Sequence, residues 1–178
     1  MGQLMSGPDF KRFTLDVYGE PEVPAACLLL QDRFELDVNV LLFAAFLGAA
    51  RARLPTPNGL DRMHRGVDRW HREVVRPLRA VRRRLKTGPA PAPDTDTIKL
   101  RSKIREVELQ AELIELTQLD NLGSALDQIP TAGSAAENAA AALAVAVRAE
   151  SARELDTHER NALTDIADAA ARCAQVAE

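Results

Sequence analysis

Between Val38 and Ala50 every residue except Asn39 is apolar or glycine. Asp37 and Arg51 bound the run. A helix apolar on all sides belongs at the centre of a fold. At about 13 residues it is shorter than the roughly 20 needed to span a bilayer. A second pattern lies further on. Leu100, Ile104, Val107, Ala111 and Ile114 recur at steps of four and three, a heptad seam, with Leu109, Leu113 and Leu116 as a second stripe beside it. This predicts one long helix over about Thr95–Asp127, packed along the N-terminal helices or against a copy of itself.

Punctuation between these patterns supplies the other elements. Ser6-Gly7-Pro8-Asp9 reads as a capped start for a helix reaching Tyr18, which Gly19 and Pro21 close. Val23–Pro24 opens a second helix to about Phe34, and Asp37 caps the third. The prolines of Leu54–Gly59 make a loop. Helix is expected again over about Leu60–Lys86, kinked or broken at Pro77, and Thr87–Asp94 is a solvated linker. Pro130 and Gly133 interrupt the chain once more. Ser134 with Glu137, and Asp156 with Glu159, then start two alanine-rich helices, about 135–154 and 158–176, expected to form an αα-hairpin appendage. Residues 1–129 form the expected main domain and 130–178 the appendage.

Composition supports the same class. Apolar residues are 46% of the chain, mostly Ala and Leu, and aromatics only 4%. Strands prefer β-branched and aromatic residues, and no run alternates with period two. The fold class is all-α: short N-terminal helices, a kinked basic helix, one long helix and the C-terminal hairpin. With no secretory pattern in Met1–Phe10, a cytoplasmic location is expected, with no membrane span and with Cys27 and Cys173 as reduced, packed thiols.

Charge changes the picture most. The net charge is −3, but residues 51–86 hold 12 basic and 3 acidic side chains, net +9, between flanks of −4 and −8. Arg76, Arg79, Arg83 and Lys86 fall on one helical face, and Arg65, Arg69 and Arg72 lead into it. Such a face binds a polyanion, or is neutralised within the chain by Glu106, Glu108, Glu112, Glu115 and Asp120 of the long helix. Only Trp70 in this stretch could stack on a base.

Signals for chemistry are thin. His64, Asp68 and His71 share a helix face as metal ligands would, but arginines surround them and no fourth ligand is signposted. Glu108, Glu112 and Glu115 share another, without the Glu-x-x-His partner of di-metal bundles. No phosphate loop, Cys-x-x-Cys or nucleophile elbow is present. No catalytic, metal or cofactor residue is therefore expected. Gln31, Asp32, Asn39 and Trp70 remain as a polar cluster near the apolar helices. Asp32, against the end of its helix, calls for an arginine from 69–84.

Four stretches carry a resemblance: Phe13-x-Leu15-x-Val17-Tyr18, Ala26-Cys27-Leu28-x-Leu30-Gln31-Asp32, Asp37-Val38-Asn39-x-Leu41-Leu42-Phe43, and Trp70-x-x-x-Val74-Val75-x-Pro77-Leu78-Arg79-x-x-Arg82-Arg83. Over about residues 9–117 the chain resembles a small proteobacterial family of hypothetical proteins known only as a domain of unknown function. The resemblance implies no activity and no site residue. The residues themselves point to a non-enzymatic helical protein that binds another protein or its own copy. Binding of nucleic acid through 62–86 is the alternative, and a small-molecule pocket or enzyme near Trp70 the third reading.

Overall fold

The computed structural model describes residues 9–123 and 125–176. Helices α1 (Phe10–Tyr18), α2 (Val23–Phe34) and α3 (Val38–Arg51) lead to a short strand β1 (Arg53–Pro55). Helix α4 (Pro57–Trp70) runs through a π turn (His71–Val75) into α5 (Arg76–Arg84). The long α6 (Thr95–Gly123), strand β2 (Gln128–Pro130), α7 (Ala135–Glu150) and α8 (Thr157–Val176) complete the chain. The fold is all-α, as the sequence predicts, save for the antiparallel pairing of β1 with β2, Leu54 opposite Ile129. Three residues a side is too short for a period-two pattern to register.

The caps explain the helix starts. Asp37 accepts the Asn39 N–H at 2.9 Å to open α3, and Thr56 accepts from Gly59 at 3.0 Å to open α4. The Ser134–Glu137 capping box opens α7. The Ser6 start lies outside the described residues, and Asp9 caps α1. Pro77 does not break its helix. Lacking an N–H, it leaves the Glu73 carbonyl without its usual donor, and the chain absorbs this as the π turn immediately before α5.

Helix α3 is the hub, with Val40 to Leu47 buried without a gap. Against it stand α1, α6, α7 and α8, and the rings of Phe10, Phe13, Phe43 and Phe46 pack with centroids 4.7–6.0 Å apart. Helices α7 and α8 form the expected alanine-rich hairpin, laid on α3 and α2 rather than standing apart. Ala139, Ala142, Leu143 and Ile166 belong to the same core cluster as Leu41 and Phe43. The boundary expected at 129/130 runs through that core. Small residues permit the approach: a Cβ on Gly48 would lie 2.7 Å from Ala139 Cα.

Helix α6 buries only part of the two stripes its heptads mark. Ala111, Leu116 and Leu119 are buried, while Leu100, Val107 and Ile114 of the seam are about half exposed. Its middle pairs Glu108 and Glu112 with the arginines of α5, so ion pairs and apolar contacts share its inward side.

Candidate functional site: a buried carboxylate–histidine centre beside a basic groove

Three elements converge under the N-terminus of α3. Asp37, its cap, contributes one carboxylate. Glu115, from the middle of α6, contributes another and is fully buried. His71 enters from the π turn, its Nδ1 3.1 Å from Glu115 Oε2 and 3.4 Å from Asp37 Oδ2. Asn39 braces both acids: its backbone N–H donates to Asp37 Oδ1 and its Nδ2 to Glu115 Oε1 at 2.6 Å. Burial, with the Glu115 charge adding to it, pushes the Asp37 carboxyl up to about 6. The hydrogen bond to Glu115 raises His71, against the opposing effect of burial.

One turn along α6 lies an ion ladder. Arg79 Nε donates to Glu108 Oε1 at 3.1 Å and its Nη2 to Glu112 Oε1 at 2.5 Å. Arg82 grips Glu108 through Nε and Nη2. Burial works against it, but Arg82 and Arg79 together hold the Glu108 carboxyl below the usual range. The intramolecular reading of the basic helix is thus realised for Arg79, joined by Arg82 rather than Arg83. Arg69 and Arg72 pair with Glu73 and Asp68 on the exposed side of their own helix. Arg76, Arg83 and Lys86 are exposed, and no ion pair reaches them among the described residues.

The predicted polar cluster is divided. Asn39 belongs to the carboxylate–histidine centre, and Gln31 lines the cavities on either side of it. Asp32 is exposed and has no ion pair among the described residues. Trp70 Nε1 donates to the Ala111 carbonyl at 3.0 Å, pinning α4 to α6, and lines neither cavity. His64, Asp68 and His71 do not assemble: Asp68 pairs with Arg72 at 2.9 Å, and His64 Nε2 lies 3.5 Å from Glu150. Burial lifts the Cys27 thiol to about 12, as for an inert packed thiol.

Two cavities flank the centre. The first, about 660 Å³, opens between α1, α2, α5 and α6, and Leu42, Leu113 and Leu116 are among its walls. The second, about 630 Å³, is the more polar and has Arg65, Arg72, Arg76 and Asp68 in its wall. Asp37, His71 and Arg79 border both. The sequence reads Asp37 as a cap, and Glu115 as a neutraliser or as one of three acids on a face with Glu108 and Glu112, and does not bring either to His71. The available signal was the spacing of Glu115 from Ala111 and Leu119, one turn either way, which places an acid in the buried stripe.

Another buried acid sits at the far end. Glu159, with no exposed surface, accepts from Arg153 Nη2 at 2.5 Å and Arg33 Nη1 at 3.1 Å. These bonds, Arg153 first, hold its carboxyl at about 2 and tie α2 to the start of α8.

No described helix is long and apolar enough to cross a membrane. No curated protein and no solved structure matches the chain. Residues 9–119 match a family model described as "Protein of unknown function (DUF2390)". That span runs from the cap of α1 through the acid-bearing face of α6, and the chain belongs to this family.

Proposed function

We propose that the protein works by binding an acidic amphipathic helix of another protein in the groove between α1, α2 and α6. The observation that carries this reading is the groove's lining. Leu15, Tyr18, Leu28, Ile98 and Leu109, each about half exposed, line it, and a row of half-exposed large side chains marks a surface made to be covered. Beside them Arg83, Arg101 and Arg105 reach the same groove without an ion pair among the described residues. Arg101 Nε and Thr14 Oγ1 are buried there without a hydrogen-bond partner. The lining's five arginines outnumber Asp37, Glu108 and Glu112 by two, on a chain whose net charge is −3.

Shape and charge select the occupant. From Ile98 to Glu112 the groove follows about 21 Å of α6, the length of a helix of about 15 residues. A helix with leucines at spacings of three and four covers the apolar row, and flanking glutamates meet the arginines. Nucleic acid offers no apolar stripe for that row. The exposed Arg76, Arg84 and Lys86 have no aromatic platform beside them, since the Trp70 indole is committed to Ala111.

The test is fluorescence anisotropy with a labelled peptide of about 15 residues, leucines on one face and glutamates on the rest. Saturable binding is expected, weakened about tenfold or more by Arg101→Glu with Arg105→Glu, and likewise by Leu109→Glu. Equal binding of the same peptide carrying lysines for glutamates, or no saturation by about 1 mM, overturns the reading.

A further inference from the structure

We infer that Asp37, His71 and Glu115 form a binding site for a divalent transition-metal ion of the zinc type, independent of any partner in the groove. One ligand atom from each residue lies within 4.8 Å of the others. The contacts of His71 Nδ1, 3.1 Å to Glu115 Oε2 and 3.4 Å to Asp37 Oδ2, are long for an imidazolium on a carboxylate, where about 2.7–2.9 Å is usual. They suit a shared metal. Bonds of about 2.0–2.1 Å to nitrogen and oxygen at tetrahedral angles place neighbouring ligand atoms about 3.3–3.4 Å apart. One Nδ1 proton, moreover, satisfies only one of two carboxylates pointing at it, whereas a cation between all three satisfies both.

The surroundings agree. Asn39 occupies the outer oxygen of each acid, Oδ1 of Asp37 through its backbone N–H and Oε1 of Glu115 through its Nδ2. Oδ2 and Oε2 are left facing His71, with Oε1 also 3.4 Å from its Nδ1, and such outer-shell bracing orients metal ligands. Two carboxylates and a neutral imidazole carry −2, which one divalent ion neutralises. Arg79, which borders the same two cavities, is already committed to Glu108 and Glu112. An imidazole with two carboxylates is a nitrogen–oxygen set without sulfur, matched to zinc rather than to a soft ion. Asp37 and His71 line both cavities, which gives the ion an entry path and a solvent molecule room for a fourth position. The π turn has a role here: it sets His71 against Glu115 directly after Trp70 has pinned α4 to α6.

The experiment uses the full chain, freed of affinity tag and metal, titrated with ZnCl₂ in a calorimeter. One ion per chain is expected, with affinity reduced at least about 100-fold in His71→Gln and in Asp37→Asn. Asparagine also caps helices, so Asp37→Asn keeps α3 started and separates a lost ligand from a lost fold. His64→Gln, beside Glu150, should bind as the unaltered chain does. X-ray absorption of the zinc-loaded chain supplies a readout free of variants: a shell of nitrogen and oxygen only, at about 2.0–2.1 Å. No binding tighter than about 0.1 mM, binding that survives His71→Gln, or sulfur in the shell overturns the assignment.

Discussion

Gly48→Ala should destabilise the protein although alanine is the better helix former. A Cβ on Gly48 would lie 2.6 Å from the Asn138 carbonyl carbon and 2.7 Å from Ala139 Cα, with the Asn138 oxygen nearer still. All three are backbone atoms of α7. That backbone is held by the Ser134–Glu137 box and by Asn138, which donates to the Gly133 carbonyl and accepts from Gly133 N–H and Thr131. Restoring ordinary contact near 3.4 Å with the Asn138 oxygen, the nearest of the three, requires α3 and α7 to separate by about 1 Å across a close-packed interface. Overpacking a core costs about 1–3 kcal/mol, and a clash with backbone belongs at the top of that range. Alanine's helix preference returns about 1 kcal/mol. The net is a loss of about 2 kcal/mol, which in a domain of this size lowers the melting temperature by about 4–8 °C. Gly66→Ala is the control, because its Cβ meets the Leu122 side chain, closest at a terminal methyl, which can rotate away. It should melt at or slightly above the unaltered chain. Circular dichroism melts of both decide the matter: Gly48→Ala melting no lower than the parent would refute the close crossing of α3 and α7.

A chain ending at Ile129 lacks the helices that cover α3 and α2, and should lose its cooperative melting transition. Glu108→Gln leaves Arg79 and Arg82 without their shared charge and should lower stability by about 1–3 kcal/mol in urea titration. Acid should unfold the protein through Glu108 and Glu159, whose folded-state carboxyls lie below the ordinary range. Their contribution is present above pH 4.5 and lost below it, for Glu159 as pH falls towards about 2, and Glu159→Gln should flatten that fall. Asp37 and His71, both raised, act in the opposite sense. In metal-free protein both add stability as pH falls, His71 down to its ordinary 6.5 and Asp37 from about 6 towards 3.8, so the melting optimum should lie on the acid side of neutrality, near pH 5. The half-exposed seam residues Leu100, Val107 and Ile114 make self-association through α6 a measurable alternative. Light scattering should give the monomer mass, and a dimer that Val107→Glu dissociates would assign that face to a second copy.

How much of this was legible in the sequence depends on how local each feature is. Asp37, Ser134 with Glu137, and Asp156 with Glu159 are read from residues within one helical turn, and each cap forms where its residues predict. The central place of α3 follows from a helix with no polar side on which to face water. Partner choice is different, because it is settled between segments far apart in the chain. Glu108 and Glu115 look alike in sequence, yet one neutralises Arg79 and Arg82 and the other meets His71. The π turn rotates everything before it relative to α5. Within α5 itself, Arg79 and Arg82 face α6 while Arg76 and Arg83, on the other flank of Arg79, stay exposed, and nothing local to that helix says which flank of Arg79 meets the acids. The alanine faces of α7 and α8 announce close packing, but nothing in alanine specifies that α3 lies underneath.

The most direct test of the central claim is a nitrogen-edited NMR titration of the labelled protein with the acidic leucine-faced peptide. Binding in the groove should shift the amides of Leu15, Leu28, Ile98 and Leu109 together and leave those of Arg84 and Lys86, outside it, in place. Shifts concentrated at Arg84 and Lys86, or none at peptide excess, would contradict the account.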